Sequence, residues 1–278
     1  MGESSISDRS ADALPDELTA IVLASVPWRD RLRCAAVCRS WERVLRGAHM
    51  WDDLLRSGSP IAHMRKACIA GDLDTARLIA EQFKITVEDI RAGGILRRAC
   101  ADGHLGLVQW LVTTFGLTAE DIRTESVLCG ACIHGHLEVA QWLVTTFGLT
   151  AEDVRTGCVV PVLVPVYWYN FIEVAAWLIA TFELTLDDVR GYHGDDLRLI
   201  SYCARPSTIE WIVRHHSISG WEDRRVLVRG AAERPGDSLE ALQHLHGILG
   251  FTAEEQHLAK HYAHGLAAEW LDATFGTS

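Results

Sequence analysis

The chain has 278 residues, 49 % of them apolar, a formal charge of −11 and a mean hydropathy of +0.08. That length permits one or two domains with a substantial core. The acid excess excludes non-specific nucleic-acid binding, which needs Lys and Arg to displace counterions, while protein partners stay open. The polar start, "MGESSISDRSADALPDEL", lacks the apolar stretch of a secretory signal, and Ile6 stands where a myristoylation pattern has Ser or Thr. The most apolar run, "CVVPVLVPVYWY", is too short to span a membrane and carries Pro161 and Pro165. The expectation is an intracellular protein of cytoplasm or nucleus, with its eight cysteines reduced and no membrane contact.

Residues 1–12 read as a flexible tail, and residues 13–57 as a first small domain. Leu14-Pro15 opens a helix, because Pro suits the first turn and Asp16 and Glu17 suit its positive end. Leu18, Ile21 and Val22 follow at i, i+3, i+4. After a Val26-Pro27 break, a second helix holds Leu32, Ala35, Ala36 and Val37, continues through Cys38, Arg39, Ser40 and Trp41, and Trp51 closes the segment. Three short helices in about forty residues have little core of their own and need a neighbour or a partner.

This stretch resembles an F-box: Leu-Pro, an acid and an aliphatic, then "VC-basic-x-W" and a terminal Trp-x-x-Leu. The resemblance implies docking on a Skp-type linker of an SCF ubiquitin ligase, with Leu14, Pro15, Leu18, Ile21, Leu32, Val37 and Trp41 in the docking surface or its support. The alternative is an amphipathic cap that shields the next element from water. "SGSP", Ser57 to Pro60, reads as the joint.

Residues 58–278 repeat. "GHLGLVQWLVTTFGLTAEDIR" starts at Gly103, and "GHLEVAQWLVTTFGLTAEDVR" starts at Gly135, 32 residues on. Anchors recur at Leu78, Trp110, Trp142, Trp177, Trp211, His244 and Trp270, giving about six units and a clipped last one. In each unit a first helix shows one apolar face (Met64, Ala67, Cys68; Leu96, Ala99, Cys100; Leu128, Ala131, Cys132). A left-handed turn follows at Gly135, with Asn170 as the tolerated substitute in the fourth unit. The second helix, with Leu137, Val139, Ala140, Trp142, Leu143, Val144 and Phe147, is apolar on nearly every side and needs stacked neighbours, its Trp in the core. "LTAED", "LTLDD" and "FTAEE" then place Thr three residues before an acid, the pattern of a capped helical turn. The acidic pairs are helix-start charges, with Arg123, Arg155 and Arg190 close by in sequence.

Two helices in about 33 residues with "GHLEV" opening the second resemble the ankyrin repeat, from about Pro60 to Ser278. The ankyrin "TPLH" start is missing, and "FGLTAEDVR" stands in place of the β-hairpin finger. The fold class expected is all-α, a short three-helix F-box-like domain followed by an ankyrin-like helical repeat solenoid. F-box and ankyrin combinations of this look are familiar from large DNA viruses that redirect host ubiquitination.

No motif asks for chemistry. Cys129, Cys132, His134 and His136 have zinc-ligand types, but Cys132 and His136 recur with the repeat, so small buried residues are the simpler reading. There is no Gly-rich phosphate loop, HExxH or nucleophile motif. His257, His261 and His264 read as a polar terminal cap. No cofactor, metal or catalytic residue is expected, and the chain is expected to be a monomer. Opposite the apolar stripe, the first helices collect Arg65, Lys66, Arg97, Arg98, Asp102, His134, Arg205, Arg229 and Arg234. This is either a locally basic concave face for an acidic segment of a target protein, or a set of solvated charges. The resemblances together imply a non-enzymatic adaptor carrying a target to a ubiquitin ligase; the alternative is a plain ankyrin-repeat scaffold with a helical cap.

Overall fold

The computed structural model describes residues 16–26, 59–124, 126–156, 162–190, 196–236 and 238–276. Among them are nineteen helices and no strand. The chain divides into two compact units, residues 1–99 with 106–117, and residues 100–105 with 118–278.

The first described helix, α1, is Asp16–Ser25. The next, α2 (Pro60–Ala70), starts because Ser59 accepts from the Ala62 amide and Pro60 fits the first turn. It stops because Gly71 turns left-handed, φ 68, with its amide on the Cys68 carbonyl. Met64, Ala67 and Cys68 are buried, as their spacing implies. Helix α3 (Leu73–Phe83) is opened by Asp72, which accepts from the Thr75 amide. Helix α4 (Val87–Gly93) is opened by a reciprocal box: the Thr86 hydroxyl accepts from the Asp89 amide, and the Asp89 carboxylate accepts from the Thr86 amide at 2.9 Å.

The same three-helix phrase then recurs along the chain. It gives α5 (Ile95–Ala101), α6 (Leu105–Phe115) and α7 (Ala119–Thr124), then α8 (Val127–Ile133), α9 (Leu137–Phe147) and α10 (Ala151–Thr156). A fourth set is α11 (Leu163–Trp168), α12 (Ile172–Phe182) and α13 (Leu186–Arg190). The third element is therefore a helix each time, started by Thr118, Thr150 and Thr185, whose amides bond Asp121, Asp153 and Asp188 at 2.7–2.8 Å. Gly103, Gly135 and Asn170 all take positive φ at the first turn of their units, as their residue types imply.

Later units condense. After α14 (Asp196–Cys203) and α15 (Pro206–His215), the short third helix and the following first helix run on as one, in α16 (Trp221–Ala232) and again in α18 (Ala253–Tyr262). Helix α17 (Ser238–Leu249) lies between them and α19 (Leu266–Phe275) ends the chain's described part. The last spacing is short because α18 and the turns on either side of it are shorter than α16 and its turns.

Within the second unit, the helices stack in order. Helix α8 packs on α11, α11 on α14, α14 on α16 and α16 on α18, while α15 packs on α17 and α17 on α19. Each repeat thus covers the apolar face of the one before, with Ala131, Cys132, Val164, Val166, Ile200, Leu227 and Val228 at 0 % exposure. Each fully buried aliphatic contributes about 1.5–3 kcal/mol relative to exposure. The rings of successive turns also roof one another: a Cβ on Gly103 would lie 2.3 Å from the His136 ring, and one on Gly135 2.5 Å from the Phe171 ring.

Two expectations are corrected. The Trp stripe is not core: Trp110, Trp142, Trp177, Trp211 and Trp270 are only half-buried. On the second helices the fully buried positions belong to smaller residues such as Val139, Ala140 and Leu143. Four of the five Trp rings sit edge-on to the Phe five residues later, with centroids 5.7–6.0 Å apart. Nor are all cysteines reduced. Cys68, Cys100, Cys132 and Cys203 are free, but Cys129 is disulfide-bonded.

Candidate functional site

Of the expected docking residues, Leu14, Pro15, Leu32, Val37 and Trp41 lie outside the described residues. Leu18 and Ile21 are on α1, where Leu18, Ile21 and Val22 are 48 %, 66 % and 47 % exposed. Their i, i+3, i+4 spacing puts them on one helix face. The opposite side is anchored by Leu23 and Thr19, which are buried. Three exposed apolar side chains thus share one face of α1.

The expected target-binding residues fall into two groups. Lys66, Arg97, Arg98, His134 and Arg205 are exposed. His134 also turns its Nδ1 to the Gly130 carbonyl, 2.9 Å away. Asp102 is half-buried beside its turn. Arg65 is exposed too, but like the half-buried Arg229 and Arg234 it spends donors inside the fold. Arg65 donates to the Gly93 carbonyl at 2.8 Å, closing the end of α4. Arg229 bonds Glu233 at 2.8 Å and lies over the Tyr262 ring, 4.8 Å from its centroid. Arg234 donates to the Ser201 and Ala204 carbonyls and so caps α14. Glu233 also accepts from Arg198 at 2.8 Å. Burial raises its carboxyl pKa, but the bonds from Arg229 and Arg198 outweigh burial and hold it below the ordinary value.

The arginines after the acidic pairs also work between repeats. Arg123 donates from Nε to Asp153, and Arg155 to Asp188, each at 2.6 Å and each in the following repeat. The acid that starts one third helix is thereby tied to the end of the preceding one. The bond from Arg123, then the Thr150 amide, holds Asp153 below the ordinary carboxylate range. For Asp188, burial pushes up, and the bonds from Arg155 and the Thr185 amide more than offset it.

The zinc-like cluster does not form a site. Burial pushes the Cys132 thiol up to about 12, away from the thiolate that a metal requires. Cys129 is already in a disulfide, and the His136 ring lies against Gly103. No group of three His, Cys, Asp or Glu able to hold a metal occurs among the described residues. Nor, among them, is any helix long and apolar enough to cross a membrane.

Sequence reasoning missed a set of exposed apolar side chains in the second unit: Tyr169 at 62 %, Trp221 at 42 % and Leu266 at 69 %. Tyr169 sits at the turn after α11, and Leu266, the first residue of α19, edges a groove with Arg234, Leu239, Gln243 and His264. Only the departure from the repeat consensus marks these positions, as with Tyr169 where the preceding unit has His134. A small cavity of about 20 Å³ lies in the same unit, lined by Ile122, Leu128, Leu149, Val154, Val162 and Leu178.

The family model for F-box-like domains matches residues 11–57. No curated protein and no solved structure matches the chain. The matched stretch contains Leu14, Pro15, Leu18, Ile21, Leu32, Val37 and Trp41. An F-box-like domain therefore occupies residues 11–57 of this chain.

Proposed function

We propose that the chain is a non-enzymatic substrate-recognition adaptor. Its F-box-like segment docks on a Skp-type linker of an SCF-type ligase, and its helical repeats, read as ankyrin-like, hold a target protein. The observation that carries this reading is the match over residues 11–57 together with Leu18, Ile21 and Val22 held outward on α1. A Skp-type linker that covered this stripe would remove apolar surface from water at about 25 cal/mol per Å². Tethering a target and a ligase on one chain raises the effective concentration of target lysines near the charged conjugating enzyme. The exposed members of the basic set, Arg65, Lys66, Arg97, Arg98 and Arg205, favour an acidic segment on the target.

Affinity capture tests the reading. A purified Skp-type linker retains the full chain, and Ile21→Asp, which places a charge on the stripe, abolishes retention while the far-ultraviolet helix signal is unchanged. Leu14→Ala with Pro15→Ala weakens it. A chain that the linker does not retain is a plain binding scaffold with a helical cap.

A further inference from the structure

The chain has 23 arginines and three lysines, Lys66, Lys84 and Lys260. Lysine is ordinarily among the commonest residues of a soluble domain. The segment matched as F-box-like, residues 11–57, has seven arginines and no lysine. Geometry explains part of this choice. Arg224 grips both oxygens of Glu255, and Arg123 and Arg155 donate from Nε, which a lysine cannot imitate. Elsewhere it explains nothing. Arg214 is 70 % exposed in a simple i, i+4 pair with Glu210, and Arg225 is 50 % exposed at 3.7 Å from Glu222. Arg77 and Arg97 are exposed as well. At such positions an ammonium does the same electrostatic work.

One property separates the two side chains everywhere on a surface. Lysine, once deprotonated, is a nucleophile; the guanidinium, protonated at every physiological pH, is not. We infer that lysine has been excluded so that the adaptor escapes modification by the ligase it recruits, with self-ubiquitination confined to Lys66 and Lys84. This rests on the proposed adaptor role. In the transfer, the ubiquitin C-terminal carbonyl leaves the conjugating enzyme's cysteine as the amine nitrogen of Lys66 or Lys84 attacks. The thioester C–S bond breaks, an isopeptide C–N bond forms, the thiolate departs and the amine's surplus proton passes to solvent. Lys66 is exposed on α2, nine residues past the matched segment, and Lys84 is exposed in the left-handed turn after α3, φ 49. Lys260 is held by Asp272 at 3.0 Å and only 30 % exposed, so it contributes little. The second unit thus offers Lys260 alone, and across the whole chain the target's lysines compete with only two readily exposed scaffold lysines.

The test is a reconstituted reaction with the full chain, Skp-type linker, cullin, RING protein, conjugating enzyme and ubiquitin, with attachment sites mapped by mass spectrometry. Retention of each variant by the linker is measured first; loss there defeats the adaptor reading and not the present one. With retention intact, wild-type conjugates map to Lys66 and Lys84, and Lys66→Arg with Lys84→Arg removes them. Restoring lysine by Arg77→Lys, Arg214→Lys and Arg225→Lys raises self-conjugation about 2.5-fold, the ratio of five exposed acceptors to two when tethering makes all accessible. Conjugates centred on Lys260, or no rise in the lysine-restored variant, overturn the inference.

Discussion

Arg224 donates from Nε to Oε1 and from Nη2 to Oε2 of Glu255, at 2.6 and 2.8 Å, and the Glu255 side chain is fully buried. The same guanidinium reaches the Leu249 and Gly250 carbonyls, and Glu255 accepts the Thr252 amide at 2.8 Å. One ion pair thus joins the start of α16, the end of α17 and the start of α18. Burial raises the Glu255 pKa, and the Arg224 and Thr252 bonds outweigh it, so the net direction is downward.

Removing one partner strands a buried charge. Arg224→Leu lowers the unfolding free energy by about 3–5 kcal/mol in urea titration, and adding Glu255→Leu restores part of the loss because no charge is left uncompensated. Arg155→Ala, at a pair whose arginine is 41 % exposed, costs under about 1 kcal/mol and is sensitive to salt. Because the Glu255 pKa is depressed on folding, its contribution is complete above its unfolded pKa and is lost as pH falls through the folded one. Equal losses for Arg224→Leu and Arg155→Ala contradict the assignment.

Much of this architecture was legible in the repeated phrase. Helix starts followed from the Thr–x–x–acid boxes, and turns followed from Gly135 and Asn170, because each is a local backbone preference. The apolar faces of first helices were equally legible, since Leu128, Ala131 and Cys132 fix a phase that burial then respects. What the phrase hid is what depends on a neighbour. Arg123 and Arg155 looked like partners of their own acidic pairs, yet their donors go to Asp153 and Asp188 one repeat on. Periodicity says which way a side chain points, not how far it reaches. Trp142 flanks the buried arc of Val139, Ala140 and Leu143, more than a quarter turn from its centre, so the smaller residues take the core. Arg229 and Arg234 look like surface charges in sequence because the residues they serve, Tyr262 and Ala204, are about thirty positions away in each case.

Two helical glycines have opposite predicted signs. Gly230 lies where α16 crosses α14: a Cβ there would be 2.3 Å from the Arg198 carbonyl oxygen and 2.9 Å from the Ser201 Cβ. Ser201 also donates to the Leu227 carbonyl at 2.6 Å, fixing the two helices at that separation. Backbone cannot step aside as a side-chain tip can, so Gly230→Ala destabilises by about 1–3 kcal/mol. Gly106, on α6, has nothing within 4 Å of its hypothetical Cβ. Gly106→Ala therefore stabilises by about 0.5–1 kcal/mol, through helix propensity alone. Thermal unfolding of the two variants beside wild type separates these signs.

His216 sets a pH dependence distinct from that of the carboxylates. Its ring is partly buried at the end of α15, with Nε2 3.0 Å from the Tyr167 hydroxyl and His215 beside it. Burial first, then the neighbouring His215 charge, pushes its pKa down from 6.5 to about 4. Since the folded value lies below the unfolded one, the unfolded chain binds more protons between them, and stability rises with pH across that window. It is complete above pH 6.5 and declines as pH falls from 6.5 toward 4. The contributions of Asp153, Asp188 and Glu255, whose pKa values are also lowered on folding, are lost only below the ordinary carboxylate range. His216→Gln, which keeps a polar partner for Tyr167 but cannot titrate, flattens the stability profile between pH 6.5 and 4.5 and leaves the steeper acid limb in place. A profile that keeps its slope across that window in the variant refutes the assignment to His216.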